Sequence, residues 1–186
     1  MKKRVFLAIN LPDDIRKKVE KVSVNLANKL PEKGVKIVEP KNLHITLHFL
    51  GDHTDANSDE IKKLSRNAAQ FFGYFKLSLG EIDAFPHQHF PRIVVLKLKK
   101  GKEEIKELHK ILAEKLKMAG IEIDCRPWEG HITLARIKFG EIVFEDFGKE
   151  KVEDAEWEMK DFSLVESDLT ADGPVYNVLE TFSFRR

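Results

Sequence analysis

Cysteine is almost absent from this sequence of 186 residues, with Cys125 as its single example. One cysteine cannot form an intrachain disulfide, which favours a reducing cytoplasm. Apolar runs of membrane-spanning length are also missing. The opening MKKRVFLAINLPDD has only a short apolar stretch and no small-residue cleavage site, so we reject a signal peptide. We therefore expect a cytoplasmic protein that does not associate with membranes.

Two kinds of nucleotide-handling motif are missing as well. The chain has no glycine-rich Walker loop and no lysine in an adenylation motif, which argues against a conventional ATP-dependent ligase. Its net charge of +1 gives no global field that attracts nucleic acid, although a local cleft can be basic in a nearly neutral protein. Charged residues make up 34% of the chain, and such a composition, rich in Lys and Glu, is typical of proteins from hot environments.

The predicted elements follow an order that repeats. Helical spacing of apolar residues predicts helices at residues 12–30, 58–72 and 101–120. Other apolar runs predict strands at residues 4–10, 35–38, 44–50, 75–85, 92–99, 121–125, 131–137, 157–166 and 175–184. The order strand–helix–strand–strand occurs roughly twice. It predicts an α+β fold in a single two-lobed domain, residues 1–186, with pseudo-symmetric lobes of antiparallel sheet and outer helices flanking a central cleft.

The tetrapeptide His-Ile-Thr-Leu occurs once in each half of the chain, at residues 44–47 and 131–134. Side chains alternate along a strand, so each histidine shares a face with its threonine while the aliphatic neighbours take the other face. Each lobe can thus bury its aliphatic side chains and present one imidazole and one hydroxyl to the cleft. A single copy of so short a pattern is usually structural or accidental, whereas two copies in equivalent places indicate function.

Two imidazoles and two hydroxyls suit displacement at phosphorus. Near neutral pH one imidazole can act as base while the other, protonated, acts as acid, so activity should follow a bell-shaped pH profile around the ordinary imidazole pKa of about 6.5. Threonine hydroxyls can donate to the non-bridging oxygens of a bound phosphate. This set can open a 2′,3′-cyclic phosphodiester with water, and we expect neither a metal nor a cofactor.

These motifs and their surroundings resemble the two-histidine phosphoesterase superfamily, specifically its RNA 2′,3′-cyclic phosphodiesterase branch, historically called 2′-5′ RNA ligase. The resemblance extends over nearly the whole chain, through RVFLAINLP, PKNLHITLHFLG, FPRIVVLKL, GHITLAR and LVESDLTADGPVYNVLETFSF. It implies a bilobal α+β fold, with His44 and His131 as the catalytic pair and Thr46 and Thr133 as phosphate ligands. The family's 2′-phosphate product implies an acid beside the 3′ oxygen, and we expect His44 to be that acid and His131 the base.

The resemblance also suggests roles for Phe49 and Arg136, each five residues after its histidine. Strict alternation would turn both side chains away from the cleft. We expect Arg136 to curl back and hold phosphate through a twist or a bulge, because arginine suits phosphate geometry. For Phe49 we expect packing in the core. His48 should share a face with Thr46, as an ordinary polar strand residue.

Other polar residues are less specific. His87 and His89 lack nearby Cys or acidic partners, so we interpret them as part of a loop at the cleft rim rather than as a metal site. The acidic residues 141–156 should lie away from any RNA. Five lysines offer either a basic approach for RNA or an ordinary solvated surface: Lys36, Lys41, Lys97, Lys99 and Lys100.

The sequence therefore predicts a monomeric, metal-independent hydrolase that opens the 2′,3′-cyclic phosphate ends of RNA, such as tRNA halves, to 2′-phosphomonoesters. The same chemistry in reverse, with a 5′-hydroxyl, would give 2′-5′ ligation. Two alternatives stay open. One is a phosphodiesterase acting on small cyclic nucleotides or 2′-5′ oligonucleotides, and the other is a non-catalytic protein that binds RNA ends.

Overall fold

The structure, a computed structural model, describes residues 3–124, 126–139, 152, 155–171 and 173–186. Its helices are α1 (Asp13–Lys29), α2 (Asp55–Ala69) and α3 (Lys102–Met118), with a short 3-10 helix at Pro40–Asn42. Its strands are β1 (Lys3–Asn10), β2 (Val35–Ile37), β3 (His44–His53), β4 (Phe75–Phe85), β5 (Ile93–Lys100), β6 (His131–Ile137), β7 (Glu156–Met159), β8 (Asp161–Thr170) and β9 (Gly173–Ser183).

The predicted helices are all present, with one displaced start. Helix α2 begins three residues earlier than the apolar spacing indicates, because Thr54 caps it. The Thr54 hydroxyl accepts a hydrogen bond from the backbone N–H of Asn57 at 3.4 Å, which satisfies one of the free donors of the first turn. Helix α1 follows Pro12 and carries Asp13 and Asp14 in its first turn, as the sequence predicts.

Two strand predictions are wrong. The run at residues 157–166 is divided between β7 and β8, with Lys160 between them. Residues 121–124 form no strand, and Cys125 lies outside the described residues. Most of the acidic stretch at 141–156 also lies outside them, so its expected position away from RNA stays a prediction.

All the described strands join one curled antiparallel sheet, in the order β7-β4-β5-β6-β3-β1-β8-β9, with β2 also paired to β6. The two motif strands, β3 and β6, are neighbours at the middle of this order and meet through the pair Ile45 and Ile132. The antiparallel α+β fold with helices on the outside is therefore confirmed. Each half of the sheet supplies one motif strand to a shared centre.

The two faces of the sheet differ in what they bury. The helices pack their apolar stripes on one face, and the large core there includes Val5, Leu7 and Ile9 of β1. The alternate β1 residues Phe6 and Ala8 belong to a separate small cluster on the other face. Full burial of one such aliphatic side chain contributes about 1.5–3 kcal/mol, so the core face fixes the register and leaves the other face free for a site.

A membrane span is not among the described helices, since none of them is long and apolar enough to cross a bilayer.

Candidate active site

The two motifs lie side by side where β3 and β6 meet. Ile45 pairs with Ile132 in an antiparallel register, and both side chains are fully buried in the core. In that register His44 is the neighbour of Thr133, and Thr46 the neighbour of His131, on the opposite face of the sheet. All four of these side chains are half-buried. The structure therefore brings together the two imidazoles and two hydroxyls that the sequence singles out.

Each motif imidazole is oriented by a backbone carbonyl two residues before it. His44 Nδ1 lies 2.7 Å from the carbonyl oxygen of Asn42, and His131 Nδ1 lies 2.7 Å from that of Glu129. A carbonyl only accepts, so Nδ1 carries the proton in both rings. Nε2 is then the free basic nitrogen. In His44 it lies 2.9 Å from the Thr46 hydroxyl, which donates to it.

Burial depresses the basicity of both rings. It lowers the pKa of His44 from its ordinary value to about 4, and although the bond to the Asn42 carbonyl opposes this shift, the nearby positive charge of Arg136 adds to it. Burial also lowers the pKa of His131, but here both the carbonyl and the carboxylate of Glu129 oppose the shift. Both imidazoles are consequently neutral in the free protein at neutral pH, and His131 is the easier of the two to protonate.

A β-bulge follows each threonine and changes the alternation. On β6, Thr133 and Ala135 pair with adjacent residues of β5, which leaves Leu134 as an extra residue. On β3, Thr46 and His48 pair with adjacent residues of β1, which leaves Leu47 extra. The two strands then share one burial sequence, in which the fourth and fifth residues are both buried and the sixth is exposed. The sixth residues, Phe49 and Arg136, therefore return to the face of the histidines.

Two expectations based on strict alternation are wrong. Phe49 does not pack in the core: it is 51% exposed and its ring lies 6.2 Å from that of Phe6 on the site face. His48 does not share a face with Thr46, because the bulge turns it into the core, where it is 2% exposed. Its Nε2–H donates to the backbone carbonyl of His109 at 2.8 Å. Arg136 lies on the site face through the bulge that the prediction required.

A stack of three aromatic rings packs against the motif strands on the core face of the sheet. The rings of His48 and His109 are 4.0 Å apart, and those of His109 and Trp128 are 4.3 Å apart, in both cases nearly parallel. The indole N–H of Trp128 donates to the backbone carbonyl of Thr46 at 3.0 Å. This bond ties the segment that precedes His131 to the strand that carries His44. Sequence reasoning missed the stack because its members lie far apart along the chain.

Aromatic rings also surround the histidines on the site face. The His44 ring lies 5.0 Å from that of Phe6 and 5.3 Å from that of Tyr176, which meets it edge-on. The His131 ring lies 5.3 Å from Phe85, also edge-on. These contacts limit rotation of the imidazoles and account for their burial. Sequence reasoning passed over Phe6 and Tyr176, although alternation with the buried neighbours of Phe6 indicates that it faces the site.

Three of the five lysines expected to approach RNA are neutralised by carboxylates. Lys97 pairs with Asp83 at 2.7 Å and with Glu129 at 3.4 Å. Hydrogen bonds from Lys97 and Gln88 outweigh the effect of burial and hold the pKa of Asp83 below its ordinary value. The other two ion pairs are Lys41 with Glu39, and Lys100 with Glu156. These lysines contribute less positive field than the sequence suggests.

The described residues show no candidate metal site, and one cavity among them lies apart from the two motifs. No three His, Cys, Asp or Glu side chains among them converge in a way that could hold a metal ion. A cavity of about 660 Å³ lies against β4, β5 and β7, around Gly80, Lys99 and Glu156, and no histidine lines it. The two motif histidines are therefore not part of this cavity.

Comparisons with known proteins agree with the fold and with the family resemblance. Residues 11–171 match the family model described as the 2′-5′ RNA ligase superfamily. The chain is 34% identical to the RNA 2′,3′-cyclic phosphodiesterase of Archaeoglobus fulgidus, over 96% of this chain and 99% of that one. It is 31% identical to the enzyme of the same name from Methanocaldococcus jannaschii, over 95% and 98%.

Solved structures give the same answer for the fold. The crystal structure of TT0787 of Thermus thermophilus superposes with a TM-score of 0.82 at 30% identity and covers 98% of each chain. That of E. coli LigT complexed with 3′-AMP superposes with a TM-score of 0.82 at 22% identity and covers 100% of each chain. The second similarity bears on the fold alone.

Proposed function

Because the chain belongs to the 2′-5′ RNA ligase superfamily, we propose that it is a metal-independent RNA 2′,3′-cyclic phosphodiesterase that leaves 2′-phosphomonoesters. Relatives with that name match it over nearly their full lengths. The observation that carries the proposal is the pair of imidazoles on one face of the sheet. Each is held through Nδ1 by a backbone carbonyl, and each lies beside a threonine hydroxyl.

Three side chains hold the reacting phosphate in this proposal. The hydroxyls of Thr46 and Thr133 donate to its non-bridging oxygens, and the Arg136 guanidinium adds positive charge and a forked donor. In the free protein the Thr46 hydroxyl donates to His44 Nε2. A bound phosphate oxygen replaces that acceptor and frees Nε2 for proton transfer. The exposed ring of Phe49 offers a flat apolar surface on which the terminal base can stack.

The reaction is an in-line displacement by water. One neutral imidazole removes a proton from water as the water oxygen attacks phosphorus. The bond from phosphorus to the 3′ oxygen breaks, and the other imidazole, protonated, gives its proton to that oxygen. The phosphate stays on the 2′ oxygen, the first ring has gained a proton from water, and the second ring has lost one to the product. His44 and His131 are the two groups in these roles.

The assignment of acid and base remains a prediction. The resemblance gives His44 as acid, but the pKa of His44 is about 4 in the free protein. Raising it to about 7 requires the bound phosphate to supply about 4 kcal/mol. The free protein favours the proton on His131, where Glu129 opposes the effect of burial. A substrate with sulfur at the 3′ leaving position separates the two assignments, because sulfur departs without a proton. Only the variant that lacks the acid should regain activity on it.

Activity of variants on a cyclic-phosphate oligonucleotide tests the function. His44→Ala and His131→Ala should each lower kcat at least about a hundredfold, as expected for loss of a general acid or base. Thr46→Val should lose activity while Thr46→Ser retains most of it, because serine keeps the hydroxyl. Activity should persist with a chelator present. Full activity in either histidine variant would contradict the mechanism, and loss with chelator would indicate a metal enzyme.

Ligation, the source of the RNA ends, the oligomeric state and the cellular location belong to the same proposal. The reverse reaction with a 5′-hydroxyl end would give 2′-5′ ligation, and tRNA halves are one source of such ends. A monomer in the cytoplasm is what the sequence predicts. Binding of the cyclic-phosphate oligonucleotide without turnover would instead favour the non-catalytic alternative.

A further inference from the structure

The site face extends beyond the reacting phosphate as a row of side chains across three strands. Val5 pairs with Glu166 between β1 and β8, so the preceding residue, Arg4, lies beside Ser167. Ser167 pairs with Tyr176 of β9. Residues paired across antiparallel strands point to the same face, which here is the face of the histidines. Arg4, Ser167 and Tyr176 thus form one row on that face.

The next row confirms this orientation. Phe6 follows Arg4 by two residues, and pairs with Val165, which precedes Ser167 by two. Phe6 and Val165 belong to the small cluster on the site face, with Tyr176 packed against them. The Tyr176 ring lies 5.0 Å from that of Phe6 and 5.3 Å from that of His44. Arg4 is therefore next to the aromatic wall of the active site.

The Tyr176 hydroxyl lies within the electrostatic reach of two guanidinium groups. Burial raises the pKa of its hydroxyl, while the positive charges of Arg136 and Arg4 oppose that rise. The hydroxyl consequently stays protonated at neutral pH and can donate a hydrogen bond. The two arginines come from opposite halves of the sheet, on β6 and β1. One half-buried donor thus experiences the positive charge of both arginines.

Neither arginine has a carboxylate partner within the described part of the chain. The neighbour of Arg4 on β1, Lys3, pairs with Glu166 at 3.6 Å. Asp52 is the cross-strand partner of Arg4, yet the two form no ion pair. Arginine binds phosphate well through its planar fork. An unpaired arginine at the wall of a phosphate site suits a second phosphate.

The position of Arg4 excludes the reacting phosphate as its ligand. Ala8 pairs with Thr46, and Arg4 lies four residues before Ala8 on the same strand. At about 3.4 Å per residue this places the Arg4 backbone about 14 Å from that of Ala8. Arg136 and the two threonines already surround the nearer position. The ligand of Arg4 is then another phosphate of the same strand.

We propose that Arg4, with the Tyr176 hydroxyl, binds the phosphodiester that joins the terminal nucleotide to its 5′ neighbour. This inference rests on the proposed function and assigns the side chains that recognise the RNA chain beyond its terminal nucleotide. The terminal base lies over the exposed ring of Phe49, between the two phosphates. Arg136 holds the phosphate that reacts, and Arg4 holds the one that does not.

Three substrates and three variants, Arg4→Gln, Lys3→Gln and Lys36→Gln, test the proposal. The substrates are 2′,3′-cyclic AMP, a diribonucleotide ending in a 2′,3′-cyclic phosphate, and the same dinucleotide with an uncharged methylphosphonate link. Arg4→Gln should lower kcat/KM about tenfold on the charged dinucleotide and leave the other two unchanged. Wild type should lose a similar factor when the link is uncharged. Lys3→Gln, which removes the adjacent charge from the other face, should behave as wild type on all three.

Salt dependence gives an independent reading. Each phosphate contact on a single strand contributes about 0.7 to the slope of log affinity against log salt. Arg4→Gln should reduce the slope of log kcat/KM by about that amount on the charged dinucleotide only.

The outcomes separate this inference from the proposed function. An equal loss of kcat/KM on all three substrates would mean that Arg4 acts in the catalytic centre or in folding. No loss on any of them would mean that Arg4 does not bind the substrate. Either result overturns the inference. If Lys36→Gln lowered kcat/KM on the charged dinucleotide and Arg4→Gln did not, the RNA chain would run toward β2. That result would also overturn the inference. Absence of turnover on every substrate by wild type would contradict the proposed function itself.

Discussion

Replacement of Arg136 by glutamine should change both the rate and its pH dependence. The β-bulge at Leu134 turns this side chain to the histidine face, where its positive charge lowers the pKa of His44 and opposes protonation of His131. Loss of a hydrogen bond to a charged group costs about 1.5–3 kcal/mol. Because Arg136 is exposed, we take the lower half of that range, which corresponds to about a 13- to 45-fold fall in kcat/KM.

The pH effect has a definite sign. Without the positive charge of Arg136, both imidazoles bind protons more readily, so the optimum of kcat/KM for Arg136→Gln should move to higher pH. Arg136→Lys is the matched control: it keeps the charge but not the fork, so its optimum should stay close to that of wild type while its rate is intermediate.

The assay is a pH–rate profile from pH 4 to 8 on a cyclic-phosphate dinucleotide, for wild type and both variants. A fall of less than threefold in Arg136→Gln would mean that the side chain does not hold the reacting phosphate. An optimum that stays in place or moves to lower pH would refute the electrostatic argument, whatever the rate.

Four further results follow from the geometry. The kcat/KM of wild type should have its optimum below pH 6.5, not around it, because burial lowers the pKa of both His44 and His131 in the free protein; an optimum above pH 7 would contradict this. The free energy of unfolding should fall on acidification below pH 6.5, since the unfolded chain then binds protons that native His44, with its pKa of about 4, does not. This loss is about 2.5 kcal/mol by pH 4.5, and urea titrations should show it reduced in His44→Gln. Trp128→Phe keeps the stacked ring but removes the hydrogen bond to the Thr46 carbonyl. It should lower kcat severalfold with KM nearly unchanged, and a change confined to KM would count against a positioning role. Phe49→Ala should raise KM several-fold and leave kcat nearly unchanged, whereas Phe49→Tyr should retain the wild-type KM.

The motif residues were predictable because local alternation alone places them. Histidine and threonine two apart on a strand share a face in any sheet, and the buried isoleucine between them fixes which face that is. The helices followed from apolar spacing for the same reason. Where a side-chain cap decided the boundary, at Thr54, the apolar pattern started the helix too late.

The prediction that side chains alternate strictly along β3 and β6 failed beyond the leucine of each motif. The bulges at Leu47 and Leu134 depend on how β3 and β6 pair with β1 and β5, and nothing within a single strand records that pairing. His48 and Phe49 were consequently placed on the wrong faces. The family resemblance pointed to Arg136, but only the register of the sheet explains how it reaches the site.

Contacts between distant segments were the other part that the sequence did not reveal. The carboxylates that neutralise Lys97 come from β4 and from the segment before β6, and Tyr176 reaches His44 from the last strand. Such contacts depend on the order of strands in the sheet, which element patterns alone do not determine.

The most direct test is a crystal structure of the protein with a bound 2′-phosphorylated nucleotide product. We expect Nε2 of His44 and Nε2 of His131 each to lie within about 2.6–3.2 Å of an oxygen on the same phosphorus atom. A product phosphate that contacts only one ring, or that binds away from both, would contradict the account.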